Sequence, residues 1–185
     1  MAHVTNDKGV FTGLSELHII PGGFGTGFST ANKTPIEVPV AEDGGFTYNG
    51  GTPSVERYRI HGMTAPWAAR MTPGDAETNL FIPQITKEIL QTFGFDVDDA
   101  TITSLLSKKW SGVKFRETSH AVEVGIAAIN DTETQLFAIK KTKLQASIVF
   151  DEANSAKPIG IQLTGASTAG GDADAMGIFE VDTSD

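Results

Sequence analysis

Leu144-Gln145-Ala146-Ser147-Ile148-Val149-Phe150-Asp151, followed by Ile159-Gly160-Ile161-Gln162-Leu163-Thr164, alternates apolar and polar residues along nearly its whole length. Leu144, Ala146, Ile148 and Phe150 would share one face, with Gln145, Ser147, Val149 and Asp151 on the other. Ile159, Ile161 and Leu163 repeat the pattern. A period of two is the mark of half-buried strands, because successive side chains of an extended chain point to opposite faces. Upstream, Val122, Val124 and Ile126 lead into Ala127-Ala128-Ile129, and Leu136-Phe137-Ala138-Ile139 follows the polar break Asn130-Asp131-Thr132-Glu133. Regularly spaced strands with turn signals between them predict an antiparallel sandwich or half-barrel.

Working toward the N-terminus, the middle of the chain carries a different period. In Ile82-Pro83-Gln84-Ile85-Thr86-Lys87-Glu88-Ile89-Leu90-Gln91-Thr92-Phe93-Gly94, the residues Ile85, Ile89 and Phe93 recur at helical spacing. Pro83 suits a first turn and Gly94 the position just past a helix end. A second helix is expected after it, with Asp98 as N-cap, Ile102, Leu105 and Leu106 facing the core, and Lys108-Lys109 at its C-terminus. The spacing thus predicts a helical segment over 83–109, flanking the sheet between two groups of strands.

The first third is punctuated by glycine. Pro21-Gly22-Gly23-Phe24-Gly25-Thr26-Gly27, Asp43-Gly44-Gly45 and Asn49-Gly50-Gly51 mark loops and turns. Residues 21–51 therefore read as a glycine-rich loop or arm, one that could order against a neighbouring subunit through Phe24 and Phe28. Leu17-His18-Ile19-Ile20 reads as a strand. Ile36-Glu37-Val38-Pro39-Val40 is demoted to an edge by its proline, and Val55-Glu56-Arg57-Tyr58-Arg59-Ile60-His61 alternates well. From Gly170 onward, residues 170–185 form an acidic C-terminal tail, and 1–185 reads as one domain.

Composition closes off several functions. The chain has 185 residues, no cysteine and a net charge of −9. Without cysteine there is no disulfide, thiolate metal site or thiol nucleophile. With acidic residues in excess, nonspecific adhesion to nucleic acid is disfavoured, and an acidic surface lets DNA slide past. The start, Met1-Ala2-His3-Val4-Thr5-Asn6-Asp7-Lys8-Gly9, has no basic or apolar signal region. No apolar run approaches the ~20 residues of a bilayer span, so no membrane partner is expected.

Candidate chemistry is thin. Gly27-Phe28-Ser29-Thr30-Ala31-Asn32-Lys33-Thr34 nears a phosphate-binding loop, but Asn32 stands where glycine belongs, and Pro35 blocks the helix that must follow. Gly23-Phe24-Gly25-Thr26-Gly27 lacks the dinucleotide spacing. Asp96-Val97-Asp98-Asp99 lacks the glycine and glutamate of a calcium loop, and a helix cap explains it more simply. His3, His18, His61 and His120 are dispersed, and no Gly-x-Ser-x-Gly elbow occurs. No catalytic, cofactor-binding or metal residue is assigned, and the chain is read as a non-enzyme. Arg57, Arg59, Arg70, Lys108, Lys109, Lys114 and Arg116 gather in the middle of the chain, whereas Asp172, Asp174, Glu180, Asp182 and Asp185 crowd its end. Such segregation suits copies that meet basic to acidic in a repeating contact.

Two regions resemble the major tail (tail tube) proteins of tailed bacteriophages. One runs from Thr52-Pro53-Ser54-Val55-Glu56-Arg57-Tyr58-Arg59-Ile60 through Met71-Thr72-Pro73-Gly74-Asp75-Ala76-Glu77-Thr78-Asn79-Leu80-Phe81-Ile82-Pro83 into Thr86-Lys87-Glu88-Ile89-Leu90. The other is Leu144 to Asp151 with Ala156-Lys157-Pro158 to Gly165, similar to that family's closing strands. The resemblance is one of element order and turn chemistry. It covers 52–93 and 143–166 best, and 101–109 departs from it. It implies a β-sandwich or half-barrel with a flanking helix, six copies joining into a ring, and rings stacking into a hollow tube. The implied partners are further copies of the chain, other tail proteins such as the tape measure protein, and genome DNA passing through the lumen without sequence recognition. The implied location is the virion tail, assembled in the host bacterial cytoplasm. The competing expectation is a β-sandwich binding module, either a capsid decoration protein or a lectin-like domain with Trp67 and Trp110 as its only tryptophans. A third is a hydrolase whose site assembles only in space.

Overall fold

A computed structural model of the protein describes residues 13–39, 45–59, 61–62, 64–65, 68–72, 74–116, 119–150, 159–167 and 176–181. The fold is mainly antiparallel β with one short helix. In chain order the first strands are β1 (Glu16–Pro21), β2 (Ile36–Glu37), β3 (Phe46–Asn49), β4 (Ser54–Tyr58), β5 (Ala68–Thr72) and β6 (Glu77–Ile82). Helix α1 (Lys87–Thr92) follows, then β7 (Val97–Leu105) and β8 (Lys108–Phe115). The last strands are β9 (Val122–Ile129), β10 (Gln135–Val149), β11 (Gly160–Ser167) and β12 (Met176–Glu180).

One eight-stranded sheet runs β2-β1-β9-β10-β11-β6-β3, with β12 beside β10. The alternation seen in the sequence sets which side is buried. Leu17, Ile19, Leu80, Ile82, Val124, Ile126, Ile139, Leu144, Ala146, Ile161 and Leu163 all point into one core. The sheet curls around this core far enough that Tyr48 on β3 meets Phe137 on β10, ring centroids 5.8 Å apart. Ile89, Leu90 and Phe93, from α1 and its C-cap, complete the core with Phe95.

The helix is shorter than its spacing predicts. Ile82 is fully buried and pairs with Ile161, so the chain is still strand at the residue before Pro83. Thr86 is the true N-cap, its Oγ1 accepting from Ile89 N at 3.2 Å. The C-terminus behaves as the sequence predicts. Gly94 sits at φ +79°, its N–H donating to Gln91 O, while Phe95 N–H donates to Leu90 O. Together these two bonds make a Schellman end.

The second expected helix is instead the β7–β8 hairpin. Val97, Thr101, Ile102 and Thr103 are β-branched and suit a pleated strand better than a helix turn. Asp98 is a strand residue paired with Lys114, not a cap, and Ile102, Leu105 and Leu106 lie outside the core. The helical segment over 83–109 is corrected accordingly.

Two expected strands, 136–139 and 144–151, run together in one 15-residue strand, β10 (Gln135–Val149), with Asp151 outside the described residues. A bulge joins them. Ile139 pairs with Ile126 and Thr142 with Val124, so Lys140 and Lys141 stand opposite the single residue Gly125. The extra residue reverses the alternation: Phe137 and Ile139 face the core before it, Leu144 and Ala146 after it.

The glycine-rich stretch 21–51 is also corrected in part. Pro21 ends β1, a 3-10 turn spans Thr26–Phe28, and edge strands β2 and β3 fall within the stretch. Phe24 lies against this chain's own sheet. It is buried on the outer face with Ile20, Ala127 and Ala138, and Phe28 packs beside it. Phe24 N–H donates to the bulge carbonyl of Lys140 at 2.9 Å. Residues 40–44 of the stretch lie outside the described residues. In the acidic tail 170–185, Met176–Glu180 form strand β12, held by β10 and by an edge contact of Phe179 with Phe28 at 5.2 Å. Asp172, Asp174, Asp182 and Asp185 lie outside the described residues.

Candidate assembly surfaces

Among the described residues, the hairpins β4–β5 and β7–β8 each pair only with themselves. A two-stranded hairpin is marginally stable in water unless one face is covered. On β7–β8, one face is covered at its root: Val97 and Val113 reach the core, and Phe115 meets Phe95 edge-on at 5.9 Å. Asp99 on that side pairs with Lys87 of α1 at 2.7 Å.

The opposite face carries uncovered apolar side chains toward the tip. Ile102 stands directly across from Trp110, and a bulge at Thr103-Ser104 brings Leu105 opposite Lys108, on the same face. Trp110 Nε1 donates to Leu105 O at 3.0 Å, fixing the ring across the strands. Ile102, Leu105 and Trp110 are each about half exposed, and Leu106 at the tip is 80% exposed. Leu106 and Ser107 both have positive φ, 53° and 57°. That is the geometry of a two-residue turn usually built from Asn and Gly. A leucine there is strained, and it places the most exposed apolar side chain at the end of the arm.

The β4–β5 hairpin repeats the theme. Val55 and Met71 are paired on one face, Met71 is 73% exposed, and Tyr58 on the other face bonds Glu56. Seven of the chain's 14 Lys and Arg residues fall within 54–72 and 96–116, with only four of its 23 acidic residues. The basic cluster of the sequence is therefore the two hairpins, a positive surplus on an acidic chain. Beyond the hairpins, β2, β3 and β12 are sheet margins, whose outer N–H and C=O groups offer a template for another strand.

The features weighed as catalytic or ligand-binding have other occupations. Lys33 of the phosphate-loop-like stretch donates to the carbonyls of Gly22 and Gly23, and Pro35 leads into β2 rather than a helix. Asp96, Asp98 and Asp99 each face a cation, Arg116, Lys114 and Lys87 respectively. His18 contacts Glu16 at 2.9 Å, and His120 holds Gly94 through its backbone N–H. Trp110 is on the hairpin, whereas Trp67, His3 and Ile60 lie outside the described residues. Among the described residues, no group of three or more His, Asp or Glu is arranged to hold a metal, and no helix is long and apolar enough to cross a membrane.

One shallow groove of about 460 Å³ lies where β6 begins and β11 ends, lined by Asp75, Ala76, Glu77, Thr164, Gly165 and Ala166. Two of its lining residues are acidic, and Ala76, Gly165 and Ala166 are small. Sequence reasoning did not single it out, because its two segments are far apart in the chain and meet only through the β6–β11 pairing. No protein-family model and no curated protein matches this chain.

Proposed function

We propose that this protein is a structural subunit that assembles with copies of itself into stacked rings, six copies to a ring, forming the hollow tail tube of a bacteriophage. The observation that carries the reading is the pair of projecting hairpins with uncovered apolar faces. Large exposed apolar patches mark interaction sites. Three sheet margins that neighbouring copies could extend support it further. So does the resemblance of its sequence to tail tube proteins, which falls on the segments that form β4, β6, α1, β10 and β11. An acidic balance suits a conduit that DNA must cross without adhering.

Head-to-tail contact between rings propagates into a filament. Negative-stain electron microscopy of the purified chain, concentrated or incubated with tail-tip components, is therefore expected to reveal tubes with a central channel. A protein that stays monomeric at high concentration but binds a glycan array or an empty capsid would replace this reading with that of a binding module.

A further inference from the structure

We infer that the tip of the β7–β8 hairpin is a plug, and that its socket is the acidic groove of Asp75, Glu77 and Ala166 on a second copy. The inference rests on the self-assembly reading and adds which surfaces meet. Three observations on the two surfaces lead to it. First, the tip combines uncovered apolar side chains (Leu105, Leu106, Trp110) with Lys108 and Lys109. Second, the two surfaces carry unpaired charges of opposite sign. Lys87, Lys114, Arg116 and Lys141 all have acidic partners. Lys108 and Lys109 at the tip, and Asp75 and Glu77 at the groove, have none among the described residues. Third, Ala76 and Ala166 line the groove, and their small side chains leave room for a larger one.

The arrangement points to a second copy rather than to the same chain. The hairpin root rests on α1 and the core side of the sheet. Glu77, Thr164 and Ala166 alternate with the inward positions Thr78, Leu163 and Gly165 and so face outward. Plug and socket are different surfaces, so the contact is heterologous and leaves a pair of copies with one plug and one socket still free, the condition for continued growth. Complementary charge at the rim sets register, while the leucines supply the buried contact.

The absence of cysteine allows a clean test. Leu106→Cys and Glu77→Cys, prepared on chains distinguished by a tag, are mixed at assembling concentration with a short bis-maleimide. Cross-linked dimers are expected only in the mixture, and the double variant L106C/E77C is expected to give a ladder of oligomers. Charge reversal supplies a second readout. Lys108→Glu with Lys109→Glu should raise the concentration needed for assembly about tenfold, which is about 1.4 kcal/mol. Asp75→Lys with Glu77→Lys in the partner should restore it, with circular dichroism checking that each variant folds. Wild-type assembly with no L106C–E77C cross-link, self-linking of L106C alone, an intrachain link at low concentration, or no rescue by the swapped pair would overturn this contact and leave the tube reading standing. Failure of the wild type to assemble at all would overturn both.

Discussion

Gly125→Ala tests whether the glycine-rich segment belongs to this chain's own sheet. A methyl group at position 125 would stand 2.7 Å from Phe24 Cδ2 and 3.1 Å from both Phe24 Cε2 and Phe24 N. Phe24 is only 6% exposed, held between Gly125 and the bulge carbonyl of Lys140. The substitution therefore has two outlets. Either the ring leaves the sheet, losing roughly 1.5–3 kcal/mol of burial, or the backbone shifts to make room, which costs typically ~1–3 kcal/mol. Both give a loss of about 1–3 kcal/mol, and for a domain of this size each kcal/mol lowers Tm by roughly 2–4 °C. Urea unfolding should show a lower midpoint with an unchanged slope. The decisive form is a double-mutant cycle with Phe24→Ala. With the ring gone, most of the clash disappears, so Gly125→Ala should cost at least about 0.5 kcal/mol less in the Phe24→Ala background. An equal cost in both backgrounds would refute the packing of Phe24 on β9.

Thr86→Ala removes the hydroxyl that accepts from Ile89 N and should lower stability by about 0.5–2 kcal/mol, read by thermal or urea unfolding. Thr78→Val should do the reverse. The Thr78 hydroxyl is fully buried and has no hydrogen-bond partner among the described residues, so an isosteric valine relieves its desolvation and raises stability by roughly 1 kcal/mol. Ile102→Ser with Leu105→Ser separates folding from assembly. Both side chains are half exposed on the hairpin, so the unfolding midpoint of the monomer should move little, while burying two such leucine-sized groups against a partner contributes on the order of 2–3 kcal/mol. Light scattering should then show assembly weakened by about 30- to 150-fold.

Much of the sheet is legible in the sequence because one face of it is buried. Leu17 and Ile19, Val124 and Ile126, Leu144 and Ala146, Ile161 and Leu163 each keep a strict period of two, and all of them reach the core. The misreadings of 101–109 and of 136–150 share one physical cause, a β-bulge. At Lys140-Lys141 the extra residue breaks the alternation, so one long strand reads as two. At Thr103-Ser104 the bulge sets Ile102, Leu105 and Leu106 at spacings of three and four, which imitate the stripe of a helix. That stripe is real, but it faces out of the molecule. Nothing in a single sequence separates an apolar stripe that serves the core from one that serves a partner, and so the candidate assembly surface was legible as a pattern but not as a place. The groove at Asp75 and Glu77 had no local signal, since Thr164 and Ala166 reach it through sheet pairing alone.

Sedimentation velocity of the unmodified chain across a wide concentration range bears most directly on the claim that its margins and hairpins are built for identical neighbours. The 19.6 kDa species is expected to give way by mass action to rings of six and then to much larger polymers. A single species of that mass at every concentration, with the hairpin amides exchanging no more slowly as concentration rises, would contradict it.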